Sequence, residues 1–202
     1  VLDIRNDRPP NGARSGSRAD GAAILTIRGA AATPMRELSD IDVVGVVGAG
    51  TMGNGIAQVA ATAGYEVVMR DIEREYVERG LDAVDDSLDR LASKGALDEE
   101  PETIRDRIAG TTDLDDLAAA DLVVEAAVEE MEVKRDVFAD LDDVTDDDVV
   151  LATNTSTLSI TTIASATDRA SDVIGLHFMN PVPIMDGVEV VVGERTADAV
   201  AE

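Results

Sequence analysis

The sequence predicts an α/β fold built on a doubly wound, mainly parallel sheet, and three observations carry that reading. From Asp40 onward short β-rich runs alternate with helical stretches. The first of these runs, residues 41–47 (IDVVGVV), is apolar on both faces, as a central parallel strand must be. A glycine-rich turn, Gly48 to Gly53, follows it directly and opens a helix.

The remaining elements follow in order. Residues 53–63 read as a helix closed by Gly64, and residues 65–70 (YEVVMR) as a second strand closing on Asp71. A long amphipathic helix is expected over 73–93, with Tyr76, Leu81, Val84, Leu88 and Leu91 on one face at spacings of three to five. Residues 122–127 (LVVEAA), 149–152 (VVLA) and 173–176 (VIGL) read as further central strands, with a helix over 132–141 between the first two. Residues 1–34 differ: they hold five Arg against three Asp, and Pro9, Pro10 and several Gly interrupt any period. That segment reads as a disordered leader, an upstream extension ahead of a working domain that begins near Met35 and covers 35–202; a basic targeting arm is the alternative. At 202 residues the chain holds one substantial domain or a domain plus a fragment, not two full domains.

Charge narrows the partners. With 17 basic and 42 acidic residues the formal net charge is −25, which repels nucleic-acid phosphates and anionic lipid surfaces. Only Lys94 and Lys134 are lysines, and Asp outnumbers Glu, a pattern that reads as adaptation to high salt. The chain has no Cys and one His, so a disulfide framework or a thiolate metal site is excluded and a zinc site is not expected. No apolar run approaches the ~18 residues of a membrane span and no signal peptide is evident, so a soluble, cytoplasmic protein is expected.

Gly48-Ala49-Gly50-Thr51-Met52-Gly53 is a G-x-G-x-x-G run between strand and helix, with Asp71 at the end of the next strand, 21 residues after Gly50. This is the Rossmann arrangement for a dinucleotide. Gly48 allows the tight turn, Gly50 lets the backbone approach a pyrophosphate, Gly53 lets helix and strand pack closely, and the helix N-terminus faces the anion. Asp71 would accept hydrogen bonds from the adenine ribose and repel a 2′-phosphate, so NAD is favoured over NADP despite Arg70 and Arg74 nearby. FAD and a turn that binds nothing are lesser alternatives.

A second constellation joins Asn154-Thr155-Ser156-Thr157, His177-Phe178-Met179-Asn180-Pro181 and Val188-Glu189-Val190. His177 ends a parallel strand, where open α/β sheets place ligands, and Glu189 in a further β run could orient it. His is suited to take a proton at neutral pH as an alcohol is oxidised; a structural histidine is the bland alternative.

The segments GAGTMGNGIAQ, VVMRDIEREYVERGLDAV, DLVVEAAVEEMEVKRDVFADLD, NTSTLSI, IGLHFMNPVP and VEVVVGERT resemble, in order, those of the 3-hydroxyacyl-CoA dehydrogenases, and within them the 3-hydroxybutyryl-CoA dehydrogenases. The resemblance runs from about Ile41 to Thr196. It implies that Gly48, Gly50, Thr51, Met52 and Gly53 form the NAD pyrophosphate turn and that Asp71 binds the ribose. Glu129 and Lys134 match residues near the nicotinamide half, and Ser87 and Lys94 match positions that contact CoA; seven residues apart, these two would share a helix face. His177 matches the catalytic base, Glu189 its orienting partner, Ser156 the serine on the substrate's 3-oxygen and Asn180 the amide beside it. The implied activity is interconversion of (S)-3-hydroxyacyl-CoA and 3-oxoacyl-CoA with NAD, in fatty-acid or butanoate metabolism.

Three departures from the family's pattern stand out. Asp186-Gly187 replaces a usual Lys-Leu, Thr157 replaces a second Ser, and the sequence ends at Glu202, before the family's C-terminal helical domain and the homodimer interface it carries. The expectation is therefore a nucleotide-binding domain with the first catalytic elements. The alternatives are a catalytically silent NAD-binding fragment and another oxidoreductase of this fold acting on a 3-hydroxy acid.

Overall fold

The structure, a computed structural model, describes residues 41–201. The expected leader at 1–34 lies outside these residues. The first half alternates strictly: β1 (Val43–Val47), α1 (Thr51–Thr62), β2 (Glu66–Arg70), α2 (Arg74–Ala92), the short α3 (Pro101–Arg105) and β3 (Ile108–Thr111). The second half continues with β4 (Leu122–Glu125), α4 (Met131–Val144), β5 (Val150–Thr153), α5 (Ile160–Ala164), β6 (Val173–Phe178), β7 (Val188–Val192) and α6 (Asp198–Ala201). The strands form one sheet in the order β3-β2-β1-β4-β5-β6-β7, all neighbours parallel except β6 and β7. Strand order reverses between β1 and β4, and the crevice beyond their C-terminal ends is where such sheets take ligands.

Helices α1–α3 pack together around one core cluster that includes Ile56, Met69, Val84 and Leu88; α4 and α5 close a second around Phe138, Leu141, Leu151 and Ile163. Phe138 is fully buried, and burial of one such side chain contributes about 1.5–3 kcal/mol. No helix among the described residues is long and apolar enough to cross a membrane.

The α/β, doubly wound, mainly parallel architecture agrees with the sequence reading, while several element details differ. The buried face of α2 runs Val77, Gly80, Val84, Leu88, so Val77 and not Tyr76 begins it; Tyr76 lies on the surface with Arg79 over its ring at 4.8 Å. The expected strand over 122–127 stops at Glu125 because the Glu125 carboxylate, and not a strand neighbour, takes the Ala127 N–H at 2.7 Å. β6 runs on to Phe178, so His177 lies inside the strand, where β7 pairs with it.

Candidate active site

Three clefts line the crevice. The first, of about 520 Å³, is formed by the glycine turn, Asp71 at the end of β2, the loop after β4, and Tyr76 and Arg79 of α2. Gly48 has φ +101°, a region that favours glycine, and a Cβ there would lie 2.7 Å from the Ala126 carbonyl oxygen. A Cβ on Gly53 would sit 1.7 Å from the Gly48 oxygen, so the turn closes only with glycine at that position. Gly50 is different: a Cβ there meets nothing within 4 Å, leaving open space over the start of α1 for a ligand. The first N–H groups of α1 are free of helix partners and face that space. Asp71 also ties the turn down, accepting from Ala49 N–H on Oδ2 and from Ile72 N–H on Oδ1, both at 2.7 Å. Thr51 lines this cleft and Met52 the next one.

The second cleft, of about 330 Å³, shares Ala126 and Ala127 with the first, so the two adjoin at the loop after β4. It gathers Met52, Glu129, Lys134, Ser156, His177 and Asn180, which lie far apart in sequence. His177 and Glu189 are cross-strand partners in the antiparallel β6–β7 pair, and opposite side chains there stand roughly 4.5–5.5 Å apart at Cβ. The His177 Nδ1 accordingly lies 2.8 Å from Glu189 Oε2, which leaves Nε2 for a substrate proton. Asn154 secures the strand end by accepting the Phe178 N–H at 2.8 Å.

Lys134 is 1% exposed and its ammonium lies 2.7 Å from Glu125 Oε1, 3.0 Å from Oε2 and 3.5 Å from Glu129 Oε2. Glu129 accepts from the Thr155 hydroxyl and, at 3.1 Å, from the Ser156 N–H. Burial pushes its pKa up, but the Thr155 hydrogen bond, the Lys134 charge and the Ser156 and Thr157 N–H groups outweigh that and hold it below the ordinary carboxylate value.

The third cleft, of about 280 Å³, contains Ser87 and Lys94 together with Arg90, Gln58, Asn54 and the 180–184 segment. It shares Thr51 and Asn54 with the first cleft and Asn180 with the second, so the three wrap around the N-terminal end of α1. The expected single helix face does not carry Ser87 and Lys94: α2 ends at Ala92, and Lys94 sits in the turn after the cap residue Ser93. Ser93 keeps helical backbone angles and the Lys94 N–H donates to the Leu91 carbonyl, so Ser87 and Lys94 still line one cleft. Asp186 is exposed and lines none of these three.

The sequence reading quoted Thr155 without giving it a role and missed Glu125, Thr153 and Arg90. A signal existed for two of them. Glu125 is an acid inside an apolar strand run, and Arg90 stands three residues after Ser87 on α2.

Comparison with known proteins gives a consistent answer. Residues 43–202 match the family described as 3-hydroxyacyl-CoA dehydrogenase, NAD binding domain. A probable 3-hydroxybutyryl-CoA dehydrogenase of Deinococcus radiodurans is 49% identical over 157 residues, covering 78% of this chain and 56% of that protein. The 3-hydroxybutyryl-CoA dehydrogenase of Bradyrhizobium diazoefficiens is 48% identical over 160 residues, covering 79% and 55%. Among solved structures, (S)-3-hydroxybutyryl-CoA dehydrogenase from Ralstonia eutropha superposes with a TM-score of 0.77 at 46% identity, covering 80% of this chain and 57% of that one. The chain thus spans little more than half the length of these relatives. With the glycine turn, the acid after β2 and this match in agreement, the chain belongs to the 3-hydroxyacyl-CoA dehydrogenase family, and residues 43–202 are its NAD-binding domain.

Proposed function

We propose that the protein interconverts (S)-3-hydroxyacyl-CoA, of the 3-hydroxybutyryl-CoA type, and 3-oxoacyl-CoA with NAD. The observation that carries this reading is the His177–Glu189 pair at 2.8 Å, in a cleft that shares its wall with the glycine turn. The names of the relatives support the substrate class.

NAD, when bound, supplies the acceptor for the hydride that leaves C3. The open space over Gly50 fits a pyrophosphate, and Asp71 at the end of β2 fits a ribose acceptor without a 2′-phosphate. With its Nδ1 hydrogen donated to Glu189, His177 takes the 3-hydroxyl proton on Nε2 and returns it in the reverse direction. Glu189 holds the tautomer and stabilises the ring while it carries the proton. Ser156 and Asn180 orient the substrate oxygen. Glu129 and Lys134 hold the nicotinamide side, and Ser87, Arg90 and Lys94 hold the CoA arm, where a hydroxyl and two cations suit its phosphates.

The working domain on this reading is 35–202, following a leader at 1–34. The protein works in the cytoplasm at high salt as a homodimer with acyl-CoA as its partner, away from nucleic acid and membranes. A second reading, an NAD-binding unit silent without a further domain, is favoured by one feature: all of β7 is exposed, Glu189 included. NADH oxidation by the 202-residue chain with acetoacetyl-CoA in molar potassium chloride decides. Turnover supports the dehydrogenase, NADH binding without turnover supports the silent unit, and no NADH binding overturns both.

A further inference from the structure

Glu125 closes β4 with no exposed surface, where the first two clefts meet, yet it lines neither. Four bonds hold its carboxylate, and their donors come from three parts of the chain. The Lys134 ammonium of α4 reaches both oxygens, the Ala127 N–H of the following loop reaches Oε1 at 2.7 Å, and the Thr153 hydroxyl of β5 reaches Oε2 at 2.7 Å. Lys134 carries the connection on to Glu129, and Glu129 to Thr155 and Ser156. A line of polar contacts thus runs from the sheet interior to the catalytic loop, with Glu125 as its fixed end.

A buried ion pair is weak evidence for stability, because well-packed apolar side chains serve as well. What the pair does here is local. Lys134 and Ala127 both line the cleft of His177, and Ala127 also lines the cleft of the glycine turn. Without the Glu125 charge, Lys134 would lose its closest ion-pair partner and the Ala127 N–H would be left with a weaker, neutral acceptor. Asp71, Tyr76 and Arg79 at the far end of the first cleft do not touch this network.

We propose that Glu125 is a positioning residue for the nicotinamide end of the cofactor, acting through Lys134 and the Ala127 N–H and leaving the ADP-ribose part in place. The proposal rests on the NAD reading above.

The test compares two ligands on the 202-residue chain: NADH, and ADP-ribose, which lacks the nicotinamide. In Glu125→Gln the NADH affinity is expected to fall about tenfold while ADP-ribose stays within about twofold, the size of a hydrogen bond to a charged group. Equal loss of both ligands, which a purely structural role would give, or no loss of either, overturns it. If Glu125→Gln does not fold, Thr153→Val decides by the same pair of titrations, with an expected NADH-only loss of about threefold; equal losses or none overturn the proposal there too. If the unmodified chain binds neither ligand, the NAD reading itself has failed; if it binds both and the variants do not separate them, only the role of Glu125 has.

Discussion

The glycine turn and the β6–β7 edge carry the two halves of the site by opposite means. The turn is made of backbone in the middle of the sheet: Gly48 N–H donates to the Arg70 carbonyl at 2.7 Å, and Ala126 N–H to that of Val47 at 2.7 Å. β1 beneath it has a parallel neighbour on each side. The His177–Glu189 pair is made of side chains at the sheet margin, one on β6 and one on the edge strand β7, whose five residues are all exposed. Where the turn closes backbone on backbone, at Gly48 and Gly53, it cannot be altered without disturbing the fold, whereas marginal side chains can be removed cleanly.

The largest effect expected from this contrast is that of Gly53→Ala. Its Cβ would have to share space with the Gly48 carbonyl, a backbone atom that cannot swing aside, so α1 must move off β1. A loss of about 4 kcal/mol or more is expected in urea unfolding, together with loss of NADH binding. A variant of unchanged stability that still binds NADH would break the comparison on its backbone side. Next comes His177→Gln. The fold and the NADH affinity should stay within about twofold, while acetoacetyl-CoA reduction falls by about 10²-fold or more, the usual contribution of a general base. Stopped-flow turnover with a parallel NADH titration checks it, and a rate near that of the unmodified chain removes His177 from the proton transfer.

The same contrast explains what could be read from the sequence. β1, β2, β5 and the glycine turn were legible because their signals are local, an apolar run or glycines at fixed spacing. β3 was not: Ile108-Ala109-Gly110-Thr111 is a four-residue edge strand with one large apolar side chain, too little for a pattern. The choice of Tyr76 over Val77 failed because both stand near the same helical stripe, and only packing against Gly110 of β3 selects Val77. His177 and Glu189 are twelve residues apart, and nothing in that spacing fixes the antiparallel register that joins them; the sequence offered Glu189 only as a carboxylate in a further β run that could orient His177, a role the family resemblance matched. Arg90 and Glu125 carried a signal, a cation one turn from Ser87 and an acid in an apolar run, but their partners lie elsewhere in the chain and only the fold names them.

Gly50→Ala sharpens the comparison inside the turn. Gly50 is extended, with φ −67° and ψ −171°, a conformation open to any residue, and its Cβ would meet nothing. The melting temperature should therefore change by no more than about 2–4 °C, the shift of roughly 1 kcal/mol at this size. NADH affinity should fall about tenfold, because the added methyl occupies the space over the first N–H groups of α1. Equal effects of Gly50→Ala and Gly53→Ala would mean that the turn does not divide its glycines between ligand and fold.

The smallest effect belongs to Glu129, which lines the cleft of His177 and reaches from the β4–α4 loop to the Ser156 N–H after β5. Although burial opposes it, the Thr155 hydroxyl, Lys134 and the neighbouring N–H groups hold its folded-state pKa below the ordinary value. A depressed carboxyl pKa contributes stability above the unfolded value, about 4.3, and loses it as the pH falls through the lower folded value. With 42% of its side chain exposed, solvent screens much of that contribution. The urea midpoint should therefore fall from pH 6 to about pH 3 for the unmodified chain and fall slightly less for Glu129→Gln. Identical pH dependence in the two would mean that the carboxylate links the loops after β4 and β5 without stabilising either.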